Sequence, residues 1–305
     1  MALMDIFKVY KGEDQSGTEP WRNYLPETLV VCTDFSANAR ESMLNACKLF
    51  GNSIKKIVLV NIYSIPNISI GSLVTVRDIL FQLSEEGLHE EEVILRKELK
   101  NQNIEIEKIC EGGKLSKKLA EIAGNYNKPI ISLGAIGASE MDNVLFGSVT
   151  SDVISTLDNV PMFCMPPQTK FEEVKNILYL SDINEINNIN NLDTIIGCGL
   201  AFDATIHVAH ISERNILLPS NISAADRDLM PVYNDLFPEV KFTYQNLNGV
   251  EPIGIQLDNI GKALDVDLLY MVLNEDGFLN DVFNEKMANK QSFYNSLPTI
   301  CYRIK

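Results

Sequence analysis

Three glycines and a serine stand at a spacing that suits an anion. Gly134-Ala135-Ile136-Gly137 is followed by nine residues and then by Gly147-Ser148. With 17 glycines in 305 residues, three glycines and a hydroxyl residue at a preset spacing arise by chance in about one such chain per hundred. Lacking Cβ, Gly134 and Gly137 would let the main chain approach an anion and take positive φ. Gly147-Ser148 would open a helix whose first N–H groups have no partner within it. That is the chemistry of a phosphate cradle, to which Ser148 adds a hydroxyl. The same residues would equally turn the chain and cap a helix. A second position follows an apolar run, at Thr33-Asp34-Phe35-Ser36. Asp34 there is either a polar ligand or the centre of an Asx-turn or helix cap.

The elements that must hold these residues follow from periodicity. Short β-branched runs (28–33, 57–63, 104–110, 129–134 and 160–165) alternate with segments of helical period (38–50, 76–100, 115–126 and 148–157). Strands that alternate with helices pair in parallel through right-handed crossovers. The expected fold is therefore α/β, an open doubly wound sheet with helices on both faces. In such a sheet ligands bind beyond the carboxyl ends of the strands, where the winding reverses, and both chemical positions lie in loops of that kind. After a linker at 166–170 the pattern restarts. Asn176 to Asp182 reproduces Thr28 to Asp34 at an offset of 148 residues, and 206–211, 266–272 and 297–302 repeat the second, fourth and fifth strands. The chain reads as an extension (1–27) and two copies of one unit (28–167 and 168–305), packed as an internal pseudo-dimer.

The first unit resembles the universal stress protein family. Thr33-Asp34-Phe35-Ser36 looks like the family's first strand end, and Leu59-Val60-Asn61-Ile62 is similar to its second. Gly134-x2-Gly137-x9-Gly147-Ser148-Val149-Thr150 matches the signature of its ATP-binding branch. The resemblance implies Rossmann-like five-stranded sheets of strand order 3-2-1-4-5, with strand five of each copy paired across the interface. It implies ATP as ligand: Thr33 and Asp34 beside the ribose or adenine, the Ile62 backbone reading adenine, Leu133 and Gly134 along the ribose, and Gly137, Gly147, Ser148 and Val149 on the phosphates. Mg2+ would bridge the phosphates. Glu140 and Asp142 would serve as its outer-shell partners or as solvated loop charges. The second copy keeps Asp182 but has Val272-Leu273-Asn274-Glu275 where the first has its glycines, with only Gly277 beyond. It is expected to bind no ATP and to serve as packing partner or protein-docking surface.

Several classes are disfavoured. Lys and Arg number 26 against 41 Asp and Glu, a net charge of -15, which argues against nucleic acid and anionic membranes as partners. The longest apolar stretch, 195–202, falls far short of the ~20 residues that span a bilayer, and charges at Asp5, Lys8 and Lys11 interrupt any leader, so a cytoplasmic location is expected. Six cysteines without C-x-x-C spacing read as buried thiols. His207 and His210, three apart on a strand, point to opposite faces and cannot share a metal. Gly112-Gly113-Lys114-Leu115 is not a Walker loop, and neither an H-E-x-x-H helix nor a G-x-S-x-G elbow occurs. No catalytic residue is therefore assigned. The leading expectation is an ATP-binding regulatory protein with at most weak hydrolysis. The alternatives are a scaffold of the same fold without nucleotide and a slow nucleotide hydrolase. An unidentified protein partner and a further homodimer are compatible with either binding reading.

Overall fold

A computed structural model describes residues 24–65, 70–99, 104–135, 146–167, 169, 173–182, 192–211, 233–247, 253–274 and 296–304. Strand β1 (Thr28–Cys32) is buried along its whole length, as a strand covered on both faces must be, and its run of Leu, Val and Val suits that position. Helix α1 (Ala37–Phe50) starts where the Ser36 side chain accepts from Ala39 N at 3.2 Å, and buries Ala39, Met43, Ala46, Cys47 and Phe50. Then follow β2 (Lys56–Tyr63), α2 (Ile70–Glu98), β3 (Glu105–Gly112), α3 (Leu115–Ala123), β4 (Pro129–Gly134), α4 (Ser148–Thr156) and β5 (Pro161–Met165). Helix α2 begins six residues before its expected start at 76.

The second half repeats the order with β6 (Asn176–Asp182), α5 (Asp193–Phe202), β7 (Thr205–Ile211), β8 (Lys241–Asn246), α6 (Ile253–Ala263), β9 (Leu268–Asn274) and β10 (Thr299–Ile304). The strand order is β3-β2-β1-β4-β5-β10-β9-β6-β7-β8. Each half thus has the expected 3-2-1-4-5 order. The two five-stranded sheets are joined into one of ten strands, since β5 and β10 pair antiparallel with Ile300 opposite Phe163 and Cys301 opposite Met162. Every other pairing is parallel.

A core lies on each face of the sheet and runs through both halves. One gathers Leu29, Val31, Met43 and Phe50 with Phe163, Ile300, Tyr179 and Ile195; the other gathers Val30, Val58, Leu119 and Val153 with Cys301, Met271 and Leu257. Phe50 meets Phe163 edge to face at 6.0 Å, a contact worth about 0.5–1.5 kcal/mol beyond its area. Leu25, expected to belong to an extension, is buried in the first core. A Cβ on Gly197 of α5 would come within 2.7 Å of it, so this end of the amino-terminal segment is packed against the second half.

Cys32, Cys47, Cys164, Cys198 and Cys301 are buried and Cys110 is half-buried, all as free thiols. Burial pushes the Cys47 and Cys198 thiols up to about 12, which keeps them protonated and inert. His207 is also structural: its Nδ1 lies 2.6 Å from the Thr243 hydroxyl and its Nε2 3.1 Å from Asn176 Oδ1. An oxygen acceptor at Nε2 assigns the neutral ring with its proton there, and burial lowers its pKa in keeping. The side chain of His210 lies outside the described residues. Among the described residues no helix is long and apolar enough to cross a membrane.

Candidate functional site

A cleft of about 450 Å³ opens beyond the carboxyl ends of β1, β2 and β4, at the point where the winding direction changes. Thr33, Asp34 and Ser36 form one wall, Asn61, Ile62 and Ser64 the next, and Leu133 with Gly134 the floor. The starts of α3 and α4 close it with Lys114, Leu115, Ser148, Val149 and Asp152. Of the nine residues singled out from sequence, Thr33, Asp34, Ile62, Leu133, Gly134, Ser148 and Val149 line this one cleft. Gly147 stands beside it as the N-cap of α4. Gly137 lies outside the described residues, as do Glu140, Asp142, Glu275 and Gly277.

The wall after β1 is tightly wound. Phe35 N donates to Thr33 Oγ1 at 2.9 Å and Ser36 N to Asp34 Oδ1 at 3.0 Å, so Asp34 makes the Asx-turn while its exposed side chain borders the cleft. Phe35 carries the strain of this winding at φ 63°, a left-handed conformation that costs a residue with Cβ about 1–2 kcal/mol. Behind it, Asn61 Nδ2 donates to Thr33 O at 2.7 Å and Asn61 Oδ1 accepts from Ser84 Oγ of α2 at 2.7 Å. Both ends of a buried carboxamide are thereby satisfied.

The floor corrects one expectation. Gly134 does not use positive φ; among the described glycines only Gly113 does, at 152°. What Gly134 supplies is the absence of a side chain, because a Cβ there would fall 2.7 Å from Asn38 Nδ2. Its carbonyl accepts from Thr150 Oγ1 at 2.9 Å, and Ser42 Oγ donates to Leu133 O at 2.7 Å. Ala135 O accepts from Gly147 N at 2.8 Å, which ties the end of β4 to the start of α4. Gly147 is likewise extended, at φ -68°, and as the glycine N-cap it brings no side chain to the start of α4. Helix α3 starts at Lys114, also without a side-chain cap. Two helix starts, each a favourable place for negative charge, therefore meet at one cleft.

Sequence reading missed three of the polar residues here. Asn61 stands as a single amide in the apolar run Leu59-Val60-Asn61-Ile62, a run noted above without any role for the amide. Lys114 and Asp152 are 38 residues apart with no shared pattern, yet Lys114 Nζ meets Asp152 Oδ1 at 2.9 Å. Lys114, with the Ser116 hydroxyl, holds the Asp152 carboxyl below the usual carboxylate range. Among the described residues no group of three or more His, Cys, Asp or Glu could hold a metal ion.

Residues 26–159, the span that builds this cleft, match the Universal stress protein family. This half of the chain belongs to the universal stress protein family. The stress protein fold extends further than that match. A universal stress protein from Archaeoglobus fulgidus DSM 4304 superposes with a TM-score of 0.65 at 16% identity, covering 92% of this chain and 97% of that one. A protein of unknown function from Pseudomonas aeruginosa PAO1 gives 0.54 at 10% identity over 92% and 94%. A universal stress protein solved in complex with cAMP aligns with 47% of this chain and 98% of its own length, at 18% identity and a TM-score of 0.32. No curated protein matches the chain.

Proposed function

We propose that the first half is a nucleotide-binding regulatory module that takes ATP in the cleft. The observation that carries this reading is the convergence, in one cavity of about 450 Å³, of the Asp34 turn, the Ile62 strand end and the glycine-led start of α4. Apolar Ile62 and Leu133 suit a base and ribose. Asp34 is placed to accept from a ribose hydroxyl, and the first N–H groups of α4 with the Ser148 hydroxyl suit phosphate oxygens. Val149, largely exposed on the first turn of α4, leaves that turn open to a ligand. Mg2+ would enter with the triphosphate, as its counter-charge. Gly137, Glu140 and Asp142 would act from the segment that joins β4 to α4.

The second half, 168–305, is on this reading a degenerate copy that packs and docks. Its Val272 and Tyr270 fill the level that Gly134 and Ser132 occupy in the first. Occupancy of the first half would then set conformation or partner choice, with hydrolysis slow because no arginine lines the cleft among the described residues.

Denaturing the purified protein and chromatographing the supernatant is expected to release ATP, ADP or AMP. Millimolar Mg-ATP is expected to raise the melting temperature, as about 2.7 kcal/mol of added stability at one hundred times Kd would. No released nucleotide together with an unmoved melting temperature would leave the scaffold reading in its place. Multiple-turnover phosphate release would favour the hydrolase.

A further inference from the structure

The turn that walls the cleft is fastened to α2 at three points, and all three lie on one stripe of that helix. Ser84 donates to Asn61, which holds Thr33 O. Gly87 receives the Phe35 ring: a Cβ there would fall 2.6 Å from it. Glu91, whose side chain is 1% exposed, takes Arg40 of α1 through Nε at 3.1 Å and Nη2 at 2.8 Å. Positions 84, 87 and 91 follow the spacing of three and four that puts residues on one side of a helix. Each contact reaches a different part of the wall: its carbonyl, its strained aromatic residue, and the helix it opens into. On the outside of α2, Ile79, Leu83 and Val93 are exposed.

We propose that α2 reports the state of the cleft, so that ligand bound at the Thr33–Ser36 turn changes the seating of α2 through Asn61–Ser84, Phe35–Gly87 and Arg40–Glu91. This rests on the nucleotide reading above and adds regulation to it. A turn held with a left-handed phenylalanine is over-determined by its neighbours, and a ligand that engages it acts on a balance rather than on a relaxed loop. The coupling is forced by burial. One Asn61 carboxamide joins the two elements, its Nδ2 on Thr33 O and its Oδ1 on Ser84 Oγ, so a shift of the turn that α2 does not follow stretches one of two buried hydrogen bonds. Ser84, outside the cleft lining, is on this view a positioning residue, acting on ligand through Asn61 and Thr33.

The test is hydrogen–deuterium exchange of the full chain with and without Mg-ATP, alongside ATP titrations. Exchange of the peptides that cover 80–95 is expected to change with ATP. Ser84→Ala, which alters no residue of the cleft, is expected to weaken ATP about five-fold, the weight of one neutral hydrogen bond, and to remove that exchange response. Ser84→Thr, which keeps the hydroxyl, is expected to restore both. Should Ser84→Ala not fold, Arg40→Lys, which keeps the charge and gives up the two-pronged contact, is expected to blunt the same response. ATP binding with unchanged exchange over 80–95 and wild-type affinity in Ser84→Ala, or in Arg40→Lys if that variant stands in, overturns this inference and leaves the nucleotide reading standing. Absence of ATP binding by the wild type overturns both.

Discussion

At the carboxyl end of β4 the first half has Ser132-Leu133-Gly134, and the sheet register places Tyr270-Met271-Val272 of β9 at the same level, since Val31 pairs with Ser132 and Tyr179 with Tyr270. Ser132 there shares a 2.9 Å hydrogen bond with Ser42, and Gly134 leaves room for Asn38. Tyr270 instead meets Tyr179 edge to face at 5.7 Å and Val272 is fully buried, so side chains occupy the space. Both halves wind their strands in one order and both put a switch point in the same place. The comparison teaches that topology supplies the position of a site, whereas its volume depends on which side chains are missing there.

The largest expected effect tests whether the halves are one cooperative body. Phe163→Ala removes the ring that faces Phe50 and pairs with Ile300, and should cost about 3–5 kcal/mol. Chemical denaturation should show one transition, shifted for both halves together; two separate transitions would mean that the continuous sheet does not couple them.

Exchanging the floor residues comes next. Gly134→Val is expected to cost about 1–3 kcal/mol of stability through overpacking against Asn38 and to weaken ATP about 10- to 100-fold. Val272→Gly is expected to lose stability without creating an ATP site, because the second half lacks the partnering glycines. A stoichiometry of one ATP per chain by calorimetry in the wild type, unchanged in Val272→Gly, would fit; two sites in either protein would not.

Acid should separate the halves more gently. Burial depresses the His207 pKa, so the folded state prefers the neutral ring, and that contribution is complete above the ordinary histidine value of about 6.5 and is lost as pH falls below it. In the first half Glu27 and Glu107 are held low by Lys55 and Lys56, and their contribution persists until pH falls through the carboxylate range. Between pH 7.5 and 5.5 the wild type is therefore expected to lose more stability than His207→Gln, as read by the denaturant midpoint. Equal losses would remove histidine from the account. The smallest effect is at the rim: Lys114→Ala breaks a mostly solvated pair with Asp152 and should change stability by less than about 1 kcal/mol, while making ATP binding less sensitive to salt.

Much of the first half was legible in sequence because its strands are short apolar runs bounded by turn residues, and the rule that clefts open beyond strand ends brought Thr33, Asp34, Gly134 and Ser148 to one cavity. Strand β8 was not legible. Its Lys-Phe-Thr-Tyr-Gln-Asn has polar residues at every second position and lies at the sheet edge, where burial no longer selects a continuous apolar run. The Lys114–Asp152 contact and the Ser84–Asn61 bond join residues 38 and 23 positions apart. No local period encodes such pairs. Gly134 was legible as important but for the wrong backbone reason, since steric need and positive φ leave the same letter in a sequence.

The seam between β5 and β10 also has a consequence during synthesis. About 130 residues separate the two strands, and at about 5–20 residues per second the ribosome needs on the order of 7–26 s to deliver the second after the first. Throughout that interval the emerging first half offers Met162, Phe163 and Cys164 on an open border that accepts an antiparallel strand. A neighbouring nascent chain on the same message exposes an identical border. The pace of translation between the two strands therefore governs the competition between self-closure and exchange of strands among siblings.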